Sequence, residues 1–158
     1  MNTENKIFLY PDQFPEKERT ILEFSALRAS LFRYDSGVCA IRAENENGQL
    51  IVLPYQGQQI WRLSFLSHDL TMKSMFNEPI PTQLFHANYG MFLLHCGLTA
   101  MGNPSAQDTH PQHGELPFAP FSNVWLSNGT DERGKYLCVG GSYRHTRAFQ
   151  TDYLFEVF

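Results

Sequence analysis

After about residue 24 the chain carries no apolar stripe at helical spacing. Its apolar residues instead alternate with polar ones, or run in short blocks between turn residues. That pattern confines it to strands, because successive strand side chains point to opposite faces while a helix needs apolar residues three and four apart. In "ALRASLFRYDSG", Leu27, Ala29 and Leu31 fall on one face and Arg28 and Ser30 on the other. "VCAIRAENENGQLIVLPY" reads as two strands around Asn47-Gly48, a strong hairpin signal. "QQIWRLSFLSHDLT" sets Ile60, Arg62 and Ser64 against Trp61, Leu63 and Phe65, then turns at Ser67 to Asp69. The glycine-bounded run "GMFLLHCGLTAMG" is expected to be a strand buried on both faces. "SNVWLSNG" and "YLCVGGSYRHTRAF", joined by "DERGK", supply two more strands, and "TDYLFEVF" reads as a last one. Before them all, "KIFLY" is a short apolar run. "FPEKERTILEF" is expected to form one helical turn starting at Pro15.

With 158 residues and no linker, repeat or low-complexity tract, the chain is expected to form one all-β domain over residues 1–158. A net charge of −4 without a basic cluster argues against nucleic acid, whose phosphates require grouped Lys and Arg. Cys39, Cys96 and Cys138 are odd in number and widely spaced, which points to reduced thiols in the cytoplasm rather than a disulfide framework. The N-terminal stretch "MNTENKIFLYPDQFPEKERT" lacks the basic and apolar regions of a secretory signal. No apolar run approaches the ~18 residues of a membrane span, so no membrane partner is expected. Since "TDYLFEVF" stops on Phe158 without a turn or polar tail, the expectation is a sheet incomplete at its C-terminus. Its exposed edge would favour homo-oligomers.

Residues 102–123 are rich in Pro, Gly, Asn and Ser and hold "DTHPQHGELP", residues 108 to 117. A loop of about twenty residues inside a compact domain is usually functional or disordered. Here Leu116, Phe118 and Phe121 give it something to bury. His110, His113 and Glu115, with His95 and Cys96 nearby, have the donor types of a zinc, iron or manganese site. Against this, Pro111 and Gly114 rule out a helix that would align both histidines. A polar turn with no chemistry is a second reading, in which Asp108 caps the loop through side-chain-to-backbone bonds. A sugar site is the third. The His113 imidazole can donate to or accept from a sugar hydroxyl, Trp125 or Phe118 offers an aromatic face, and Arg144 or its neighbour His145 offers a polar group. Only one of that pair can reach, because strand neighbours diverge. Lys73 in "TMKSMF" is a further candidate to touch substrate.

"LPYQGQQIWRLSF", "LTMKSMF", "YGMFLLHCGLTAMGNPSAQDTHPQHGELPFAPF" and "GGSYRHTRAF" together resemble the aldose 1-epimerase (galactose mutarotase-like) superfamily, in its uncharacterised aldose 1-epimerase-like branch. The resemblance runs from about residue 6 to the end and covers the N-terminal half of the family's usual length. It implies a β-sandwich of the supersandwich type with a sugar-binding face. It also implies anomer interconversion by a carboxylate base and a histidine acid, without metal or cofactor. The His-Gly histidine that holds the substrate carries over to His113. His95 stands where the family has an arginine, and His110, Glu115, Lys73, Arg144 and Trp125 are the other candidate substrate contacts. The family's second histidine and catalytic glutamate belong to its C-terminal half, so weak or absent mutarotase activity is expected of these 158 residues. A non-catalytic sugar-binding module and a cupin-like metal protein are the alternatives.

Overall fold

Asn45 closes the first predicted hairpin: its side-chain Oδ1 accepts from the backbone N–H of Asn47 at 2.9 Å and of Gly48 at 3.0 Å. Glu46 and Asn47 form the turn, and Gly48 already stands opposite Asn45 in the ladder. The computed structural model describes residues 6–158. The first five residues, part of the stretch read for a secretory signal, lie outside the described residues. Among the described residues ten strands follow one another: β1 (Ile7–Phe8), β2 (Arg19–Phe24), β3 (Leu27–Arg33), β4 (Cys39–Asn45), β5 (Gly48–Leu53), β6 (Gln59–Phe65), β7 (His68–Asp69), β8 (Ser122–Asp131), β9 (Gly134–Arg147) and β10 (Thr151–Val157). β2 to β7 form one antiparallel sheet in sequence order. The second sheet runs β1-β8-β9-β10. Among the described residues no α-helix occurs, only two 3-10 turns, and no helix is long and apolar enough to cross a membrane.

The sheets face each other across a core of Ala29, Leu31, Ile41 and Val52 from the first and Val124 and Leu126 from the second, with Leu9 and Phe14 closing one end. The larger sheet is also buried on its far face. There Phe32, Val38, Ile51, Leu53 and Trp61 pack against Met91, Phe118, Phe76 and Phe85, all from the irregular segment between β7 and β8. A strand sheet buried on both faces explains why apolar residues crowd "LIVL" instead of alternating.

Three expectations change. The helical turn at Pro15 is absent. Residues 11–13 make a 3-10 turn, and Arg19–Phe24 pair with β3 instead. A single isolated turn has little stability of its own, so the ladder wins. The run 90–102 is not a buried strand: one bridge, Ile60 to Leu93, is all it contributes to the sheets. Met91 is buried but Phe92, Leu93 and Leu98 are exposed, so the run packs as a covering segment. Finally, β6 does not alternate cleanly. Ile51 pairs Arg62 while Val52 pairs Ile60, which makes Trp61 the extra residue of a bulge. Trp61 and Arg62 therefore both reach the outer face. There the guanidinium stacks over the Trp61 ring at 4.0 Å and donates to the carbonyls of Phe76 and Gly90 at 2.9 and 3.2 Å.

On the outside of the smaller sheet, Trp125 lies across Gly140, its partner in the ladder. A Cβ at Gly140 would sit 2.1 Å from the indole. Gly140→Ala is therefore expected to cost about 1–3 kcal/mol in urea unfolding, the usual range for overpacking. A loss under about 0.5 kcal/mol, typical of an inert surface change, would show that the indole moves freely.

Candidate functional site

The decapeptide is held by its backbone. His113 N–H donates to Gly102 O at 2.8 Å, its carbonyl accepts from Gly97 N–H at 2.9 Å, and Leu116 N–H donates to Gly97 O at 3.1 Å. These bonds lay residues 113–116 against 97–102. The approach leaves no room for a side chain at Gly114, where a Cβ would come within 2.2 Å of the Ala100 carbonyl. His113 and Gly114 both take left-handed backbone, with φ of 63° and 88°. Glycine adopts that region freely; histidine does so at a cost and only when its surroundings hold it there. The imidazole leans edge-on against Phe85, ring centroids 4.7 Å apart, and the Gln112 amide lies 3.5 Å from Nε2.

Glu115 points the other way. One carboxylate oxygen accepts from the backbone N–H groups of Leu98 and Thr99 at 2.7 and 3.0 Å and from the Tyr153 hydroxyl. The other accepts from the Thr99 hydroxyl at 2.5 Å. Burial alone would raise its pKa, but the bonds from Thr99, Tyr153 and the backbone outweigh it and hold the carboxyl at about 2. The same contact raises the Tyr153 phenol well above its usual value, through burial first and the glutamate's bond and charge next. Glu115 is thus a fixed anion that buckles the loop to β10.

The remaining candidates scatter. His110 donates from Nδ1 to Pro111 O at 2.8 Å, and its Nε2 is 4.0 Å from the Asp108 carboxylate. Asp108 accepts from Ser105 N–H at 2.7 Å, the loop-capping bond expected of it. His95 is half-buried, its pKa lowered by burial, and it lies edge-on to Phe155 at 5.6 Å. It lines a cleft of about 260 Å³ between the sheets with Ile60, Leu126 and Val139. Trp125 is 8 % exposed, with the Lys6 ammonium 3.9 Å above its ring. Lys73 is exposed on the covering segment. Arg144 is exposed and pairs with Asp152 at 2.6 Å. Among the described residues no three of His, Cys, Asp and Glu gather as metal ligands. His110, His113 and Glu115 therefore do not form the metal triad considered from their spacing.

Tyr143 and Tyr153, which the sequence reading passed over, complete the region together with His145. On β9, Leu137 and Val139 pack into the core between the sheets, so Tyr143 and His145 share their side of the strand. Tyr143 packs with Phe155 and Val157 against Leu116, Ala119 and Phe121 of the loop. Tyr153, opposite His145 in the ladder, reaches Glu115. Alternation along "SYRHT" and "DYLFE" contains this information, but only once the inward face is known.

The Glu115 geometry predicts a specific acid sensitivity. Its pKa falls from an ordinary 4.5 to about 2 on folding. Its stabilising share is therefore fully present above pH 4.5 and is lost as pH falls toward 2. Glu115→Gln should lower stability at neutral pH by about 1–3 kcal/mol and flatten the slope of unfolding free energy between those limits. An unchanged slope in urea titrations would refute the anion's role as buckle.

No protein-family model matches the chain, and no curated protein matches it. Among solved structures, the crystal structure of a "putative aldose 1-epimerase" from Klebsiella pneumoniae subsp. pneumoniae superposes with a TM-score of 0.77 at 13% identity. The match covers 96% of this chain and 46% of that one, so the chain spans about half the length of the structure it matches. The chain has the all-β sandwich fold of that protein.

Proposed function

We propose that this protein binds a sugar, with His113 as the principal contact, and that it interconverts sugar anomers only when a carboxylate base and a second histidine come from outside these 158 residues. The observation that carries the reading is the presentation of His113. A strained backbone, two hydrogen bonds to residues 97–102 and a ring contact with Phe85 hold one imidazole in place. Strain of this kind clusters at ligand sites because the surrounding structure must maintain it. The likeness to an aldose 1-epimerase fold supplies the ligand class. Anomer exchange needs one group to take the proton of the anomeric hydroxyl and another to protonate the ring oxygen. Glu115 is unsuited to the first task, since both its oxygens already accept hydrogen bonds and its low pKa makes it a poor base.

That same commitment of Glu115 favours, as a second reading, a sugar-binding module without turnover. His110, Lys73 and His95 remain proposed secondary contacts, whereas Arg144 and Trp125 lie on the outer face of the smaller sheet with partners of their own and are set aside. The expected result is saturable binding of D-galactose or D-glucose by calorimetry, with polarimetric mutarotation at the uncatalysed rate. His113→Ala should weaken binding at least tenfold, about 1.4 kcal/mol. Mutarotation well above background would show that a base lies within the chain, and would sink the division of labour proposed here.

A further inference from the structure

We propose that His145 is a second sugar-contacting residue of this site, oriented for that role by Tyr143 and Tyr153. The inference rests on the sugar-binding reading and extends it to a residue on a different strand.

The argument begins with strand parity. Residues 144 and 145 project to opposite faces of β9. Arg144 takes the outer face, where it is paired with Asp152. His145 takes the face that carries Tyr143, packed on Leu116, Ala119 and Phe121 of the His113 loop. The positive charge expected to reach a ligand is thus turned away, and the imidazole is turned toward the loop.

The ring is fixed from two sides. Its plane stacks on Tyr153, centroids 5.0 Å apart and 23° from parallel, and its Nδ1 lies 3.1 Å from the Tyr143 hydroxyl. Tyr153 is itself anchored, because its hydroxyl donates to Glu115, two residues from His113. A continuous set of contacts therefore runs from His145 through Tyr153 and Glu115 to the backbone that carries His113. Such second-layer support is what holds a binding side chain to a narrow geometry.

The chemistry left over suits a polyol. With Nδ1 engaged by the phenol, Nε2 of the half-buried ring is the atom free to face a ligand, and among the described residues it meets no protein hydrogen-bond partner. A ring present only for packing would be better served by Phe, which has no polar atom to desolvate. The Tyr143 hydroxyl adds a further polar group beside it. An imidazole nitrogen with a neutral hydroxyl beside aromatic faces matches the alternating polar and apolar surfaces of an aldose ring.

The test compares His145→Phe, which keeps a ring against Tyr153 but removes both nitrogens, with His145→Gln, whose amide restores a polar group. D-galactose and D-glucose are titrated by calorimetry into the full chain and its variants, with thermal unfolding as the check on folding. The proposal expects His145→Phe to unfold near the parent temperature yet bind at least tenfold more weakly, and His145→Gln to recover part of the loss. It also expects the His145 Nε2 resonance of 15N-histidine-labelled protein to shift on saturation with sugar. If His113→Ala weakens binding while His145→Phe binds like the parent and the Nε2 signal stays put, this inference falls and the sugar-binding reading stands. If the unmodified chain binds neither sugar, both fall. If His145→Phe fails to fold, the Nε2 shift in the unmodified protein decides the question alone.

Discussion

The carboxylate of Glu115 is the point at which three separate pieces of chain become one site. Residues 98 and 99 donate to it from the covering segment, Tyr153 from the last strand, and Glu115 itself belongs to the histidine loop. Even partial burial of a charge costs solvation unless hydrogen bonds replace the water, and four donors do so here. The energy of those bonds closes a segment that has almost no regular structure of its own. Without them, the loop's approach to β10 would rest on the small apolar cluster of Leu116, Ala119 and Phe121 against Tyr143 and Phe155.

That dependence follows from how the larger sheet is covered. Its outer face is apolar and needs a layer over it, yet the residues between β7 and β8 form neither a strand nor an α-helix. An irregular layer must satisfy its backbone groups one at a time. The solutions are visible individually. Arg62 donates to the carbonyls of Phe76 and Gly90, the Gln59 amide donates to Pro117 O at 2.6 Å, and Gln83 donates to Phe118 O at 3.1 Å. Each is a polar side chain of the sheet or the segment assigned to one or two particular carbonyls. The segment is therefore specified by scattered residues rather than by a repeating ladder.

This explains what could be read from the sequence and what could not. The strand ladders could be read, because period-two alternation and turn residues such as Asn45 to Gly48 are local signals. The all-β class followed from them, while the sandwich was implied by the family resemblance. The run 90–102 was misread because an apolar block between glycines satisfies the signature of a buried strand equally well when it packs as a cover. Only Met91 enters the core deeply enough to show the difference. The bulge at Trp61 was invisible for a related reason, since a bulge adds one residue without disturbing composition. In the site, the capping bond of Asp108 was legible from "DTHPQHGELP", whereas Glu115, read there as a substrate contact, is engaged by Leu98, Thr99 and Tyr153. Tyr143, Tyr153 and Thr99 were not legible, because their part depends on which face of β9 and β10 turns inward.

The separation of charges around His113 bears on what a sugar would meet there. An anion engaged by four donors can orient neighbours but can accept a proton only by losing those bonds, which is why its pKa sits near 2. Imidazoles keep the opposite capacity, since each can donate at one nitrogen and accept at the other. The loop therefore commits its carboxylate to architecture, and in the proposed reading its histidines are the groups left to meet a sugar. Under the proposed function, a sugar on such a surface would gain orientation before reactivity, and anomer exchange would require a second carboxylate with an unoccupied oxygen.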